Sequence, residues 1–322
     1  MYKVIVYGLG REYRKQEYYI FKEFIVVGLS DSNISLKEHY ELFVNPWLIS
    51  SMEWDYVYVT SKKYQEEIVK YLNETYKIPL DKIIGVQNTW WYVSNSNFYK
   101  RNDWIIEQLK TIKAGKRILD AGAGNQRYRP YCNHLDYVSQ DFGKYDKVEK
   151  VEGIHGEDEW ESEQCDILSD ITDIPVEDES FDVILCSEVI EHLKNPILAI
   201  DEFYRILKKN GELILTAPFC SLTHMAPFYY SNGFSKYWYQ DILSDAGFYV
   251  SSIIHNGNYF SYLAQELMRT EKMAIRYGTT ALSAKEKELI METTKIVMER
   301  AESTKGSEEC QCFGLFVKAI KK

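Results

Sequence analysis

The sequence predicts an α/β protein with two doubly wound sheets, and two observations carry this prediction. Short runs of β-branched residues alternate with segments of helical spacing, which is typical of parallel sheets covered by helices on both faces. A strand also leads directly into a glycine-rich turn twice, at Val4–Gly10 and at Arg117–Gly124. Because these openings lie far apart along the chain, we expect two α/β units and not one large sheet.

Composition fits such a protein and excludes several functional classes. A chain of 322 residues, of which 45% are hydrophobic and 27% charged, can bury two cores and is not disordered. The net charge of −10 argues against a general binder of nucleic acid or of anionic membranes. No leader-like or membrane-spanning apolar run is present, so we expect a cytoplasmic protein.

The six cysteines predict neither disulfides nor a metal site. They show no CxxC spacing, and the pair Cys310 and Cys312 has no further ligand nearby in the sequence. Reduced thiols in a cytosolic protein are the expected state. We therefore predict no metal centre.

The first predicted unit covers residues 1–86 and ends before an aromatic linker and lead-in helix at 87–115. Its helix near 61–76 carries Ile68, Tyr71 and Leu72 on one buried face. The other predicted elements are a strand at 3–7, a helix near 11–22, and strands at 24–28 and near 56–60.

The first glycine turn is a weak indicator of function. Tyr13 stands where the dinucleotide fingerprint GxGxxG requires its third glycine, so a nicotinamide-dependent dehydrogenase is disfavoured. Asp31 still follows the second strand, where a ribose carboxylate would lie. The unit is similar to small Rossmann-like domains that accompany sugar-modifying enzymes. Docking of a nucleotide-sugar or carrier-linked acceptor, dimerisation, and a scaffold without ligand stay open as its roles.

The second glycine turn has stronger support. The run ILDAGAGNQ places Asp120 at the end of a buried strand, and the missing side chains of Gly122 and Gly124 let a ligand lie against the backbone. Asp141 ends the next strand, where dinucleotide folds place a carboxylate on ribose hydroxyls. The strand after that ends in an acid and an aliphatic residue, Asp170 and Ile171, which suit the amino edge and the face of an adenine.

The order of these motifs resembles the class I S-adenosylmethionine-dependent methyltransferases. The resemblance covers residues 98–322 and rests on DAGAG, DITDIP, ESFDVILCSEVIEHLKNP and RILKKNGELILTAPF in that order. It implies a Rossmann-like methyltransferase domain at 116–322 that uses S-adenosylmethionine and releases S-adenosylhomocysteine. A helical insertion at about 260–304, before the last strand, would be an addition to that fold, either as a lid or as a contact of a homodimer.

The resemblance also implies roles for individual residues. Asp120, Gly122 and Gly124 would hold the methionine end of the cofactor, and Asp141 would bind its ribose. The remaining implied contacts are the adenine amino group at Asp170, the adenine ring at Ile171, and the sulfonium and acceptor at Ser187 and Glu188.

Within that family, the chain is most similar to methyltransferases associated with bacterial surface-polysaccharide and nucleotide-sugar genes. GNQRYRPY, the segment His224–Pro227 and the turn Ala246–Phe248 carry this similarity. The chain departs from it at Phe228–Asn232, where that group has an acidic residue and a Tyr-Tyr-Arg run. The aromatic residues between Phe228 and Tyr239 predict either a sugar-stacking surface or the core face of a helix at 235–245.

A hydroxyl acceptor must lose its proton near the transition state, which favours a general base. Glu188 and His192 would share one face of a helix, and His224 follows the fifth strand of the domain beside the expected acceptor cleft. We therefore predict Glu188, His192 and His224 as catalytic residues. His155 lies in a polar insertion, Gly153 to Gln164, that could cover the cofactor as a lid, or be a solvated loop. His134 and His255 are expected to be structural.

Together these observations predict an S-adenosylmethionine-dependent methyltransferase of a small-molecule acceptor, with oxygen of a sugar or nucleotide-linked saccharide as the methylated atom. Transfer to nitrogen or carbon of another metabolite is one alternative. A regulatory protein that binds the cofactor without catalysis is the other. The intact acidic residues and glycines of the predicted cofactor site favour the enzyme.

Overall fold

The computed structural model describes residues 2–61, 63–85, 90–143, 165–278 and 280–322. The chain divides into two compact units, Met1–Asn95 and Ser96–Lys322. The predicted lid, with His155, lies outside the described residues. So do the side chains of residues 90–95, which belong to the predicted aromatic segment.

The first unit is built on a parallel sheet of four described strands in the order β2-β1-β3-β4. Ile5, Val57 and Leu72 are fully buried in its core. On the second helix, Leu72 and Ile68 pack inward as predicted, whereas Tyr71 is 43% exposed and is not part of the buried face. Its helices and strands are β1 Lys3–Tyr7, α1 Arg11–Glu23, β2 Ile25–Ser30, β3 Tyr56–Val59, α2 Gln65–Tyr76 and β4 Ile83–Gly85. The short strand β4 has too few residues to show a pattern in the sequence.

A single helix, α3 (Trp90–Thr111), replaces the predicted linker and lead-in helix. The segment contains neither glycine nor proline, so nothing in the sequence interrupts the helix where the linker was expected. Ile105 and Leu109 are fully buried, and Trp104 stacks on Phe316 with ring centroids 4.9 Å apart. The carboxyl-terminal half of α3 is thereby fixed to the second unit.

The second unit is built on a sheet of seven described strands in the order β10-β11-β9-β8-β5-β6-β7. Its strands are β5 Arg117–Ala121, β6 Asp136–Asp141, β7 Ile167–Leu168, β8 Phe181–Ser187, β9 Leu207–Pro218, β10 Phe248–Asn256 and β11 Gly314–Lys321. Its further helices are α4 Pro196–Ile206, α5 Lys236–Asp245, α6 Tyr259–Tyr277 and α7 Ala284–Ser303. The strands are parallel except that β11 runs antiparallel to both β9 and β10. The α/β prediction, with a helical pair before the last strand, is confirmed.

The strand order reverses at β5, since the chain continues outward through β6 on one side and through β8 and β9 on the other. Ligands of such sheets bind in the crevice at the carboxyl ends of the strands where the order reverses. In this unit that crevice lies between Ala121 at the end of β5 and Ser187 at the end of β8. The fold therefore places both predicted cofactor segments at one edge.

The core beneath this edge joins the sheet to α4 and α5. Phe203, Leu213 and Leu215 are fully buried there. Helix α4 ends at Ile206 because the chain enters β9 at Leu207. None of the helices within the described ranges is both long and apolar enough to span a bilayer.

Candidate functional site

The glycine turn after β5 requires glycine for two reasons. Gly122 has φ +74° and Gly124 has φ +50°, a backbone region that other residues adopt at a cost. A Cβ on Gly122 would also lie 2.5 Å from the Cγ2 of Val189, which follows β8. The turn therefore packs directly against the segment that carries the predicted catalytic residues.

Asp120 lies at the end of β5, only 3% exposed. The hydroxyl of Tyr137 donates to its Oδ2 at 2.7 Å. Burial, together with the nearby Asp141 carboxylate, raises the pKa of Asp120 to about 6 in spite of the opposing effect of the Tyr137 hydrogen bond. A buried carboxyl with so little compensation favours a cationic ligand.

Asp141 is bound to the glycine turn. Its Oδ2 accepts from the backbone N–H of Gly124 and its Oδ1 from that of Gly143, both at 3.0 Å. Each oxygen of a carboxylate can accept a second hydrogen bond, so the side chain keeps acceptor capacity for ribose hydroxyls. Gln140 adds a backbone carbonyl that accepts from the N–H groups of Gly122 and Ala123, each at 2.9 Å.

The two residues predicted to contact the adenine differ in their exposure to solvent. Asp170 is exposed, and its Oδ1 accepts from the backbone N–H and the hydroxyl of Thr172 at 3.0 and 2.8 Å. Ile171 is 5% exposed and belongs to the core cluster beneath the sheet. Asp170 is thus accessible at the rim of the strand end, whereas Ile171 presents little surface.

Glu188 directly follows β8 with φ +59°, so it is not part of a helix. Its Oε2 lies 2.8 Å from a guanidinium nitrogen of Arg101, and its Oε1 accepts from the hydroxyl of Thr216 at 3.1 Å. Ser187 shares this contact, with its hydroxyl 3.0 Å from that of Thr216. Because Arg101 and Thr216 hold both oxygens, the carboxyl group of Glu188 is fixed in position at the crevice.

His192 and His224 come together although 31 residues separate them in the sequence. Their rings meet edge to face with centroids 4.8 Å apart. The Nδ1 of His192 lies 2.5 Å from the carbonyl oxygen of Phe228, and that of His224 lies 2.9 Å from the carbonyl oxygen of Leu222. A carbonyl only accepts, so each Nδ1 carries the proton and each Nε2 keeps its lone pair.

Glu191 completes this cluster and was not predicted. Its Oε1 lies 3.6 Å from the Nε2 of His192 and 3.9 Å from the Nε2 of His224. The residue is fully buried, and among the described residues neither of its carboxyl oxygens has a hydrogen-bond partner. Burial, with the charge of Glu188, raises the pKa of Glu191 well above its usual value, and burial lowers the pKa of His224.

The structure thus differs from the expectation that Glu188 and His192 share a helical face. A short 3-10 helix, Ile190–His192, follows Glu188, and it points Glu191 and His192 toward the loop that carries His224. The sequence signal for this arrangement was the second acidic residue in SEVIEH, directly before the histidine. Arg101 and Thr216 gave no such signal, because both lie far from the motif in the sequence.

The aromatic segment after His224 divides between core and surface. Phe234 and Tyr239 are buried in the core, which supports the core-face interpretation for them. Tyr230 and Tyr237 are 45% and 64% exposed. Tyr229 bonds through its hydroxyl to the carbonyl oxygen of Ser221 at 2.7 Å. The exposed tyrosines are the part of this segment that could contact an acceptor.

Two family models match the chain. Residues 119–215 match a family described as "Methyltransferase domain", and residues 1–84 match one described as "C2185-like, N-terminal". The first match begins in β5, covers the glycine turn, Asp141, Asp170 and the SEVIEH segment, and ends in β9 before His224.

Curated relatives are similar to part of the chain. It is 28% identical over 145 residues to the ubiquinone biosynthesis O-methyltransferase of Xanthomonas oryzae pv. oryzae strain PXO99A, covering 42% of this chain and 59% of that protein. It is 30% identical over 116 residues to the demethylmenaquinone methyltransferase of Clavibacter sepedonicus, covering 35% of this chain and 46% of that protein. The chain therefore spans about half of the length of these relatives.

Among solved structures, the chain is similar to phosphoethanolamine N-methyltransferase 2 of Haemonchus contortus in complex with S-adenosylmethionine. The TM-score is 0.41 at 12% identity, covering 99% of this chain and 94% of that one. Residues 119–215, which include the glycine turn, thus match a methyltransferase-domain family, and the prediction of a methyltransferase domain made from that turn is confirmed to this extent.

Proposed function

We propose that the protein transfers the methyl group of S-adenosylmethionine to an oxygen atom of a small-molecule acceptor. The observation that carries this proposal is the glycine turn at the reversal of strand order, with Asp120 and Asp141 beside it. This turn lies within the segment that matches the methyltransferase family.

The residues around the turn fit this cofactor. Asp120 offers a buried carboxyl to the ammonium group of the methionine end, directly before the tight turn that Gly122 makes with its positive φ. Asp141 keeps acceptor capacity for two ribose hydroxyls. When bound, S-adenosylmethionine supplies a methyl group on a cationic sulfur. The carboxyl group of Glu188, paired with Arg101, lies at the same edge.

The acceptor is proposed to approach from the side of His192 and His224. Each ring is held at Nδ1 by a backbone carbonyl, which fixes the direction of Nε2. Glu188 is proposed as a positioning residue, since Arg101 and Thr216 already hold its oxygens. The name of the Xanthomonas relative, an O-methyltransferase, supports oxygen as the methylated atom.

A sugar or nucleotide-linked saccharide of bacterial surface-glycan biosynthesis is the acceptor class that we propose. Tyr230 and Tyr237 present exposed rings after the His224 loop, and aromatic faces stack on sugar rings. The motif resemblance described above points to the same class. The buried positions of Phe234 and Tyr239 restrict this stacking surface to fewer residues than the sequence suggested.

Replacing Asp141 by asparagine is expected to weaken binding of S-adenosylhomocysteine by about tenfold to a hundredfold, because hydrogen bonds to a charged acceptor contribute about 1.5–3 kcal/mol. Calorimetric titration of the full chain measures this change. Asp136→Asn is the matched control, since Asp136 begins the same strand and is exposed at its opposite end. Equal affinity in Asp141→Asn and the wild type would contradict the assigned cofactor site.

The acceptor class is tested by transfer of labelled methyl groups to a panel of nucleotide sugars, with phenols and primary amines in parallel. Labelling of a nucleotide sugar supports the proposal. Labelling confined to phenols would retain oxygen as the acceptor atom and exclude the saccharide, whereas labelling confined to amines would exclude both. Cofactor binding without transfer to any member of the panel would favour the regulatory alternative.

A further inference from the structure

We propose that Glu191, His192 and His224 bind a divalent transition-metal ion that holds the acceptor oxygen. This inference rests on the proposed methyltransferase function. It gives the three side chains a role as metal ligands, whereas the sequence predicted a site without metal. The described residues that carry it come from two places in the chain, the 3-10 helix after β8 and the loop after β9.

The geometry of the three side chains fits one ion. Their ligand atoms all lie within 4.8 Å of one another, with Glu191 Oε1 at 3.6 and 3.9 Å from the two histidine Nε2 atoms. Two ligands that each bind an ion at about 2.1 Å lie at most about 4.2 Å apart. Both carboxyl-to-imidazole distances fall inside that limit, although each is too long for a direct hydrogen bond. The widest separation in the cluster, 4.8 Å, exceeds the limit by about 0.6 Å, so the two imidazoles would have to move together by that amount to share one ion.

The histidines are oriented as metal ligands usually are. Each imidazole donates its Nδ1 proton to a backbone carbonyl, of Phe228 and of Leu222. This second hydrogen bond fixes the tautomer and directs the lone pair of Nε2, as the outer partners of metal-bound histidines do. Both Nε2 atoms then converge on the same carboxyl oxygen of Glu191.

The burial of the Glu191 carboxyl group supports a bound ion independently of the distances between the ligand atoms. Its side chain is fully buried, and within the described ranges neither carboxyl oxygen has a hydrogen-bond partner. A buried carboxyl without partners is costly, and such groups are ordinarily paired or bound to a metal. An ion at this position would compensate the carboxyl and would use both imidazoles.

The donor set indicates the class of ion. Two imidazoles and one carboxylate suit manganese, iron, cobalt, nickel or zinc, whereas calcium and magnesium prefer oxygen ligands alone. Three protein ligands leave coordination positions open for an oxygen ligand. The site also adjoins the cofactor edge, because Val189, between Glu188 and Glu191, packs against Gly122.

An ion at these residues would bind the acceptor hydroxyl and lower its pKa. The hydroxyl proton would leave to solvent water, so neither histidine would need to act as the base. The acceptor oxygen would then form the new bond to the methyl carbon, while the electron pair of the broken carbon–sulfur bond would remain on sulfur. The histidines and Glu191 act in this scheme as ligands.

The test begins with the full chain, free of any affinity tag and treated with a chelator. Titration with Co²⁺ is expected to show one tight equivalent by elemental analysis, with visible absorption bands typical of nitrogen and oxygen ligands. Glu191→Gln and His224→Asn should each weaken Co²⁺ binding by at least tenfold. His255→Asn is the matched control in the same unit and should bind Co²⁺ like the wild type. Absence of a tight equivalent in the wild type would overturn the proposal.

Thermal unfolding of each chelated variant checks that the fold is intact. If one of the two variants does not fold, the other still tests the metal site. Equal Co²⁺ affinity in a folded variant and the wild type would also overturn the metal site. Binding of S-adenosylhomocysteine distinguishes the two proposals. A chelated wild type that binds it with unchanged affinity but loses methyl transfer supports both proposals. Unchanged transfer after chelation contradicts the metal role alone, and loss of S-adenosylhomocysteine binding in every form contradicts the proposed function.

Discussion

Replacing Gly122 by alanine is expected to abolish tight cofactor binding and to destabilise the second unit. Two costs combine at this position. A non-glycine residue at φ +74° is strained by about 1–3 kcal/mol, and overpacking against Val189 adds a similar amount. Because Val189 precedes the segment of Glu191 and His192, any movement that relieves the contact also disturbs the acceptor side. Calorimetry with S-adenosylhomocysteine and denaturation in urea measure both effects.

Gly115→Ala separates the two costs. Gly115 also has a positive φ, +79°, but no atom lies within 4 Å of the position of an added Cβ. The control should therefore lose only the backbone component of stability and should retain cofactor affinity. If both variants lost the same amount of stability and bound S-adenosylhomocysteine equally well, the contact with Val189 would have no role in shaping the site.

Asp120→Asn is expected to raise the stability of the free protein above neutral pH while weakening cofactor binding. Burial raises the pKa of Asp120 from 3.8 to about 6. The folded state therefore holds this proton more tightly than the unfolded state, so stability falls as the pH rises from about 4 to about 6. At 1.36 kcal/mol per pKa unit, the ionised carboxyl costs up to about 3 kcal/mol at pH 7.5. The asparagine variant should lack that decline in urea unfolding measured across this range.

The same substitution has the opposite effect on the ligand. Asparagine carries no negative charge, so the affinity for S-adenosylhomocysteine at pH 7.5 should fall at least tenfold. In the wild type, affinity should also decline below pH 6 as Asp120 takes up its proton. Asp136→Asn is again the control and should change neither measurement. A wild-type affinity that stays constant from pH 5 to pH 8 would contradict a contact between Asp120 and the ammonium group of the ligand.

The proximity of the proposed cofactor residues to one another could be predicted from the sequence because its signals are local. Asp120, Gly122 and Gly124 are contiguous with the strand that positions them, and the parallel sheet brings Asp141 to the same edge. The identity of the strands and the order of the motifs were therefore sufficient to predict that these residues lie together. The helical pair before the last strand could also be predicted from the sequence, since α6 and α7 are long and their apolar residues recur at helical spacing.

The cluster of Glu191, His192 and His224 could be predicted only in part because it depends on distant segments. The proximity of His192 to His224 depends on the conformation of the loop after β9, for which the sequence has no local rule. The assumption of a helix at Glu188 failed because its backbone takes a positive φ. A helical spacing across that residue places Glu188, and not Glu191, on the same face as His192.

The position of α6 and α7 has a consequence for how this chain can vary. Asn256 at the end of β10 pairs directly with Gly314 at the start of β11, so the chain leaves the sheet and returns at neighbouring points. The two helices are therefore an insertion between the two strands of a β-hairpin. A tight turn could connect the same two strands without changing their register. We expect natural length differences among similar chains, and tolerated deletions or grafted domains, to concentrate between these two residues.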